Sequence, residues 1–307
     1  VMEDRQDFRW ILNDNKQIES IEPFEKLLSQ KLVEECMIAA NRCAAKFLRQ
    51  HGANGPFVIH PGIRPARLDE AIKFLSMHAP AVAGTDPTEV SGYRDIMRCL
   101  SGDEHPLPLR TMINRLLTRA ELSTEPGAHM GMALETYTNC TSPLRKYVDF
   151  LVHLQIKAIL NQQAADRVDP ELLAALALRL QNIRTATQEA ERWLAGKYLA
   201  RLAGSAEGVT FKGRVSQVNS SGFTVRIEDN GLEGFVDLRK DPEKFSYDKW
   251  TASLTSTTRR FQLDQSVELN FLGADRANQY RAMFAVVDGC GLKPPKEDTR
   301  QSAQDAR

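Results

Sequence analysis

Helical spacing of apolar residues stops at Gly204 and strand-type alternation takes over, so this 307-residue chain has to build two different kinds of core. Before that point, residues 8–22 read as a hairpin. Phe8, Trp10 and Leu12 alternate, Asn13-Asp14-Asn15 supplies turn chemistry, and Ile18 and Ile21 follow. A long amphipathic helix is expected over 24–50, with Leu27, Leu28, Leu32, Cys36, Ile38, Ala39 and Cys43 near helical spacing and Gly52 and Gly55-Pro56 beyond its end. Phe57-Val58-Ile59-His60 reads as a short strand, and further helices are expected over 67–77, 92–100, 108–121, 141–162 and 170–203. After Gly204 the candidate strands are 208–218, 221–228, 231–236, 265–273 and 279–287, with turns at Ser220-Ser221-Gly222 and Asp229-Asn230-Gly231. Five short strands in so little chain suggest a small OB-type barrel. The expected fold class is α+β: a mainly helical part over residues 1–203, an all-β five-stranded OB-fold barrel over 204–290, and a polar, disordered tail over 291–307.

Lys+Arg and Asp+Glu both number 40, so the formal net charge is zero and no broad cationic surface is expected. Any nucleic-acid site must come from local clustering of charge. Cys36, Cys43, Cys99, Cys140 and Cys290 are scattered, with no Cys-x-x-Cys pair, which suits a reducing cytoplasm better than a disulfide framework or a zinc site. No apolar run reaches the roughly 18 residues a membrane helix needs. The opening Val1-Met2-Glu3-Asp4-Arg5 reads like the interior of a longer protein, so truncation is expected.

The segment 123–153, STEPGAHMGMALETYTNCTSPLRKYVDFLVH, is the most informative. Thr141, Ser142 and Pro143 form a helix-start pattern, a hydroxyl N-cap followed by proline in the first turn. Arg145, Asp149 and His153 then fall on one helical face. Two readings fit. An exposed helix start with hydroxyls and an arginine attracts phosphate, because free N–H groups, the helix dipole and the guanidinium fork all favour an anion. Alternatively, this is a capped helix carrying an Arg–Asp surface pair worth a few tenths of a kcal/mol. The basic series Arg110, Arg115, Arg119 and Arg179, Arg184, Arg192 are open in the same way, as an RNA path or as solvated faces.

Thr141-Ser142-Pro143-Leu144-Arg145-Lys146-Tyr147, with Asp149 and His153 after it, resembles the signature of the ribonuclease II/ribonuclease R family. Ser123-Thr124-Glu125-Pro126-Gly127-x-His129, Leu134-Glu135-x-Tyr137 and Leu32-Val33-Glu34-Glu35-x-Met37-Ile38-Ala39-Ala40-Asn41 are similar to that family in the same order. The resemblance implies the C-terminal part of an RNB catalytic domain, from an enzyme that hydrolyses single-stranded RNA from its 3′ end, one nucleotide at a time. It implies that Arg145 is the catalytic contact to the scissile phosphate. It also implies that Glu34 lies near the terminal ribose, where it would accept from the 2′-OH, with Glu35 as its neighbour. Thr141, Ser142 and Lys146 belong to the same RNA-binding motif. Tyr147 and His153 read as scaffold, and His60 as either a channel residue or a buried structural histidine.

Residues 204–290 resemble the S-one type RNA-binding barrel in Gly208-Val209-x-Phe211-x-Gly213-x-Val215, Ser221-Gly222-Phe223-x-Val225 and Gly231-x-Glu233-Gly234-Phe235-Val236. Such barrels stack bases on aromatics beside a basic track. Lys212, Arg214 and Arg226 are the candidates for charge, and Phe223, with Phe211 or Phe235, for stacking, although some of these rings must fill the interior. Ser221, Thr224 and Asp237 stand where the family carries aromatics and a histidine.

The family's four magnesium-binding aspartates are not matched here, since the spacing of Asp4, Asp7 and Asp14 differs. Magnesium is therefore expected in a full-length enzyme, with no metal ligands in this chain. Single-stranded RNA is the expected partner, in a cytoplasmic monomer with no membrane and no obligate protein partner. The alternative is a binding module of this family without catalysis. A helical interaction scaffold with a peptide-binding barrel is the third reading, and the resemblance argues against it.

Overall fold

The computed structural model describes residues 6–101, 108–164, 167–205, 208–274, 276–277, 279–287 and 289–292. In chain order, strands β1 (Asp7–Leu12) and β2 (Ile18–Phe24) precede helix α1 (Leu28–Gln50), β3 (Phe57–Ile59), α2 (Leu68–His78), α3 (Val90–Cys99) and α4 (Leu109–Asn114). Strand β4 (Glu121–Ser123), α5 (Tyr147–Leu160) and α6 (Pro170–Ala203) follow. The remainder is all β: β5 (Phe211–Asn219), β6 (Gly222–Ile227), β7 (Glu233–Asp237), β8 (Ser246–Asp248), β9 (Ser253–Thr255), β10 (Arg260–Gln262), β11 (Ser266–Gly273) and β12 (Ala282–Val286). The described residues form two compact units, one from Glu25 to Thr187, the other joining Gln6–Phe24 to the chain from Gln188 onward.

In the first unit, α1 is entered through Leu27, whose N–H donates to the Gln30 side chain at 2.8 Å. Its buried face is Asn41, Ala44, Ala45 and Leu48, at i, i+3, i+4 and i+7, closed over by Phe57 and by Val152 of α5. This corrects the apolar face expected from spacing. Leu28 is 84% exposed and Leu32 64%, while Cys36 and Cys43 are exposed as well. The helix buries its small residues because a close neighbour, not the richest apolar stripe, decides which side goes in. Two further boundaries move. The helix expected over 108–121 stops at Asn114, and Glu121–Ser123 instead pairs antiparallel with β3. The helix expected from 141 begins only at Tyr147, because Pro143, Leu144 and Arg145 form a separate turn in which the Ser142 carbonyl accepts from the N–H groups of Arg145 and Lys146.

In the second unit, β5, β6, β7, β12 and β11 close into a five-stranded barrel in which β12 runs parallel to β7 and every other neighbour is antiparallel. That order is the Greek-key closure of an OB barrel. Alternation along β5 sends Phe211, Gly213, Val215 and Val218 inward and Lys212 and Arg214 outward. Gly222 is required at the entrance to β6: its φ is +153°, and a Cβ there would lie 2.0 Å from the Val236 carbonyl oxygen. A small sheet, β8–β9–β10, was not expected from the sequence and fills the connection between β7 and β11. The hairpin expected over 8–22 forms, with the Asn13 side chain accepting from the N–H groups of Asn15 and Gln17. Its Ile18 and Ile21 join Leu199 of α6 in the barrel's core cluster. The disordered tail expected from residue 291 is corrected at its start, since the Leu292 backbone exchanges hydrogen bonds with Arg260 at 2.8 and 2.9 Å, and residues 293–307 lie outside the described residues.

Candidate nucleic-acid interface

The first unit carries an open groove of about 570 Å³ between the N-terminal half of α1 and the extended segment that leads into the Pro143 turn. Glu34, Val33 and Met37 come from α1, and Tyr137, Thr141 and Lys146 from the facing segment. Three of the residues singled out from two separate motifs, Glu34, Thr141 and Lys146, are thereby brought together. Glu35 is not among the lining residues. The Glu34 carboxylate is half exposed and lies 3.6 Å from Lys26 Nζ.

The wall behind them rests on Asn41, which is buried. Its side-chain NH₂ donates to the Tyr137 hydroxyl at 2.8 Å, and its carbonyl oxygen accepts from the Cys140 N–H at 2.8 Å. Burial pushes the Tyr137 hydroxyl's pKa upward, and the bond from Asn41 partly offsets this. His153 Nε2 donates to the Cys140 carbonyl at 2.7 Å, and the Asp149 carboxylate accepts from the Ser142 N–H at 2.9 Å. The segment is thus pinned by its backbone at Cys140 and Ser142, and beyond the pins Leu144 and Arg145 stand exposed. Neither Asn41 nor Tyr137 was singled out as a site residue.

Several expectations about this region change. Arg145, Asp149 and His153 do not share a helical face, because Arg145 precedes the helix. The surface Arg145–Asp149 pair does not exist either, since Asp149 is fully buried against Ser142. His60 does not line an open channel. It is 8% exposed, its Nδ1 accepts from the Gly62 N–H at 3.2 Å, and its ring lies 5.3 Å from that of His129. Burial lowers the pKa of both histidines, and for His129 the neighbouring His60 adds to the effect. Arg110 donates to the Ser101 hydroxyl, and Arg119 is exposed away from the groove's lining.

On the barrel, Phe223 cannot serve as a stacking platform. It has 0% exposure and packs inside against Phe261 at 4.9 Å between ring centroids. Phe211 and Phe235 are buried too. Arg214 is paired to Glu228 at 3.3 Å and Asp264 at 3.6 Å, while Lys212 is exposed. Arg226 donates to the Gln6 carbonyl at 2.9 Å and lines a cleft of about 600 Å³ together with Arg192 and Arg281. Arg281 donates to the Thr224 hydroxyl at 2.8 Å and lies 4.4 Å from the Phe235 ring. Burial lowers its pKa, as does the charge of Arg192, so two guanidinium groups face one space. Sequence analysis does not single out Arg281; its only signal is its position immediately before the last strand.

Among the described residues no three His, Cys, Asp or Glu side chains come together as a metal-binding group. Among the same residues no helix is long and apolar enough to cross a membrane.

The sequence model of the RNB domain matches residues 1–162, more than half of the chain. The chain belongs to the RNB domain family. Exoribonuclease 2 of Yersinia pseudotuberculosis is 35% identical over 240 residues, covering 77% of this chain and 36% of the relative. The chain therefore spans about a third of the length of the curated relatives it matches. Among solved structures, the apo form of Mycoplasma genitalium RNase R superposes with a TM-score of 0.73 at 18% identity, covering 92% of this chain and 45% of that one. The same enzyme in complex with ribose methylated single-stranded RNA gives 0.70, with the same identity and shares. Yeast Ssd1, a pseudonuclease, gives 0.58 at 18% identity over 76% of this chain and 30% of its own. At these identities the structural likenesses establish the fold alone: an RNB-type helical portion with a closed OB-like barrel.

Proposed function

We propose that this RNB-family chain is the RNA-holding portion of a 3′→5′ hydrolytic exoribonuclease that degrades single-stranded RNA to nucleoside 5′-monophosphates in the cytoplasm, as a monomer. Residues 1–203 are assigned to its catalytic domain and 204–290 to an S-one type RNA-binding domain. What carries the reading is the convergence of Glu34, Thr141 and Lys146 on one groove, beside a pinned turn that presents Arg145. In this reading Arg145 contacts the scissile phosphate, where a guanidinium stabilises charge as the phosphodiester opens. Lys146 and the hydroxyls of Thr141 and Ser142 hold neighbouring phosphate oxygens, and Glu34 accepts from the terminal ribose 2′-OH. On the barrel, Lys212 and Arg226, with Arg192 and Arg281, track the upstream strand. The family's magnesium is left to aspartates outside this sequence, so the chain alone binds RNA without cutting it. A second reading, an RNA binder without catalysis, is favoured by the lack of a metal-binding group among the described residues and by the likeness to the fold of a pseudonuclease.

The test uses a single-stranded RNA labelled at its 5′ end, with magnesium, and a sample of verified intact mass. Salt-sensitive binding without shortening is expected, weakened about tenfold in Arg145→Ala, as suits one charged phosphate contact. Stepwise shortening by the 307-residue chain would overturn the assignment of the metal site to outside sequence. Affinity unchanged in Arg145→Ala would overturn the role of Arg145.

A further inference from the structure

Asp149 is a buried carboxylate with an unusual set of partners. It sits in the first turn of α5 with 0% exposure. One oxygen accepts from the Ser142 N–H at 2.9 Å, and the other has no hydrogen-bond partner among the described residues. No cation is paired with it there. The positive end of α5 compensates part of the charge, yet a buried anion held by one N–H costs stability relative to a well-packed apolar side chain.

Its bond leads directly to the exposed turn. The Ser142 N–H is held by Asp149, while the Ser142 carbonyl accepts from the Arg145 N–H at 3.3 Å and the Lys146 N–H at 3.0 Å. Asp149, the Ser142 peptide and the Arg145 backbone thus form one continuous hydrogen-bonded chain. Beyond it the turn has little packing of its own, since Leu144 is fully exposed and Arg145 exposed.

We infer that Asp149 is the positioning residue of the phosphate-binding turn: it orients Arg145 through the Ser142 backbone without touching RNA. This rests on the reading of Arg145 as a phosphate contact. Releasing the Ser142 N–H spreads the turn over conformers in which Arg145 misses its phosphate, and apparent affinity falls by the fraction that still reaches it.

The sign of the effect makes the inference testable. Removing an acidic residue near an RNA site ordinarily strengthens binding, because repulsion is relieved. Asp149→Leu is expected to weaken binding of a single-stranded RNA about tenfold. It should also lower the slope of log affinity against log salt by about 0.7, the loss of one single-strand phosphate contact although no cation has been removed. Asp149→Asn keeps an oxygen that accepts from the Ser142 N–H and should stay within about threefold of the parent. Arg145→Ala and Arg145→Ala/Asp149→Leu should bind alike, since the second change acts only through the first. Helical circular dichroism checks that each variant is folded, and if Asp149→Leu is not, Asp149→Ala, which also releases the Ser142 N–H, carries the test with the same expected tenfold loss. Asp149→Leu binding like the parent, or adding its full effect on top of Arg145→Ala, would overturn the inference alone, as would an Asn variant as weak as Arg145→Ala. Arg145→Ala binding like the parent would instead overturn the reading on which it rests.

Discussion

Phe223 separates a barrel that stacks bases on its ring from one that spends the ring on its own core, and Phe223→Ala decides between them. The side chain has 0% exposure, its ring lies 4.9 Å from that of Phe261, and its backbone pairs with Val218 and Val236. Truncating a buried phenylalanine to alanine costs about 3–5 kcal/mol, part lost transfer energy and part residual cavity. A domain of this kind has only about 5–15 kcal/mol in total. With an unfolding entropy of about 2.1 cal/mol/K per residue, a unit of roughly 140 residues loses about 14 °C of Tm for a 4 kcal/mol deficit. Tryptophan fluorescence reads this unit selectively, because Trp10, Trp193 and Trp250 are the chain's three tryptophans and all lie within it. Below its lowered midpoint the variant should bind single-stranded RNA as the parent does, and Phe223→Leu, closer in volume, should lose only about 1 kcal/mol. A Phe223→Ala protein that melts within a few degrees of the parent yet binds RNA tenfold more weakly would refute the core assignment and return the ring to the surface.

Gly222→Ala should destabilise the barrel by about 3 kcal/mol or more, because the new Cβ meets a backbone oxygen that cannot move aside; an unchanged fluorescence melt would show that the β6 entrance differs from the one described. His60 and His129 are held below their ordinary value of 6.5, chiefly by burial, so the unfolded chain takes up protons first as the pH drops. Stability of the first unit is thus undiminished by them above pH 6.5 and declines as pH falls below it, and urea midpoints by circular dichroism at pH 7.5 and 5.5 should show a decline that shrinks in His129→Gln. A decline of equal size in the variant would remove His129 as a cause.

Local chemistry made much of the fold readable before any coordinates. The β1–β2 turn is written in Asn13, whose side chain caps it from within, and strands β5 and β11 announce themselves by alternation that holds inside a closed sheet. The strands β8–β10 escaped because their three-residue lengths are too short to establish a period. The start of α5 was misplaced for a different reason. Thr141-Ser142-Pro143 has the composition of a cap, but Asp149, inside the helix, takes the Ser142 N–H and commits the proline to a turn of its own. Spacing cannot foresee that, since the competing partner lies seven residues downstream.

The same division runs through the candidate interface. Glu34, Thr141 and Lys146 are marked by the family resemblance, and they line one groove. Asn41 and Tyr137 sit in the same motifs, yet nothing local to either shows that they pair. Asn41 and Tyr137 meet across 96 residues of chain, and nothing in α1 distinguishes a buried asparagine from a solvated one. The polar bond they make explains why α1 turns Ala44, Ala45 and Leu48 inward and leaves Leu28 and Leu32 outside. Asn41 must face Tyr137 and Cys140 to satisfy its amide in the interior, and a helix can rotate only as a whole. One obligatory polar contact thereby outweighs a stripe of larger apolar side chains in choosing the buried face, and by fixing that rotation it also aims Glu34 into the groove.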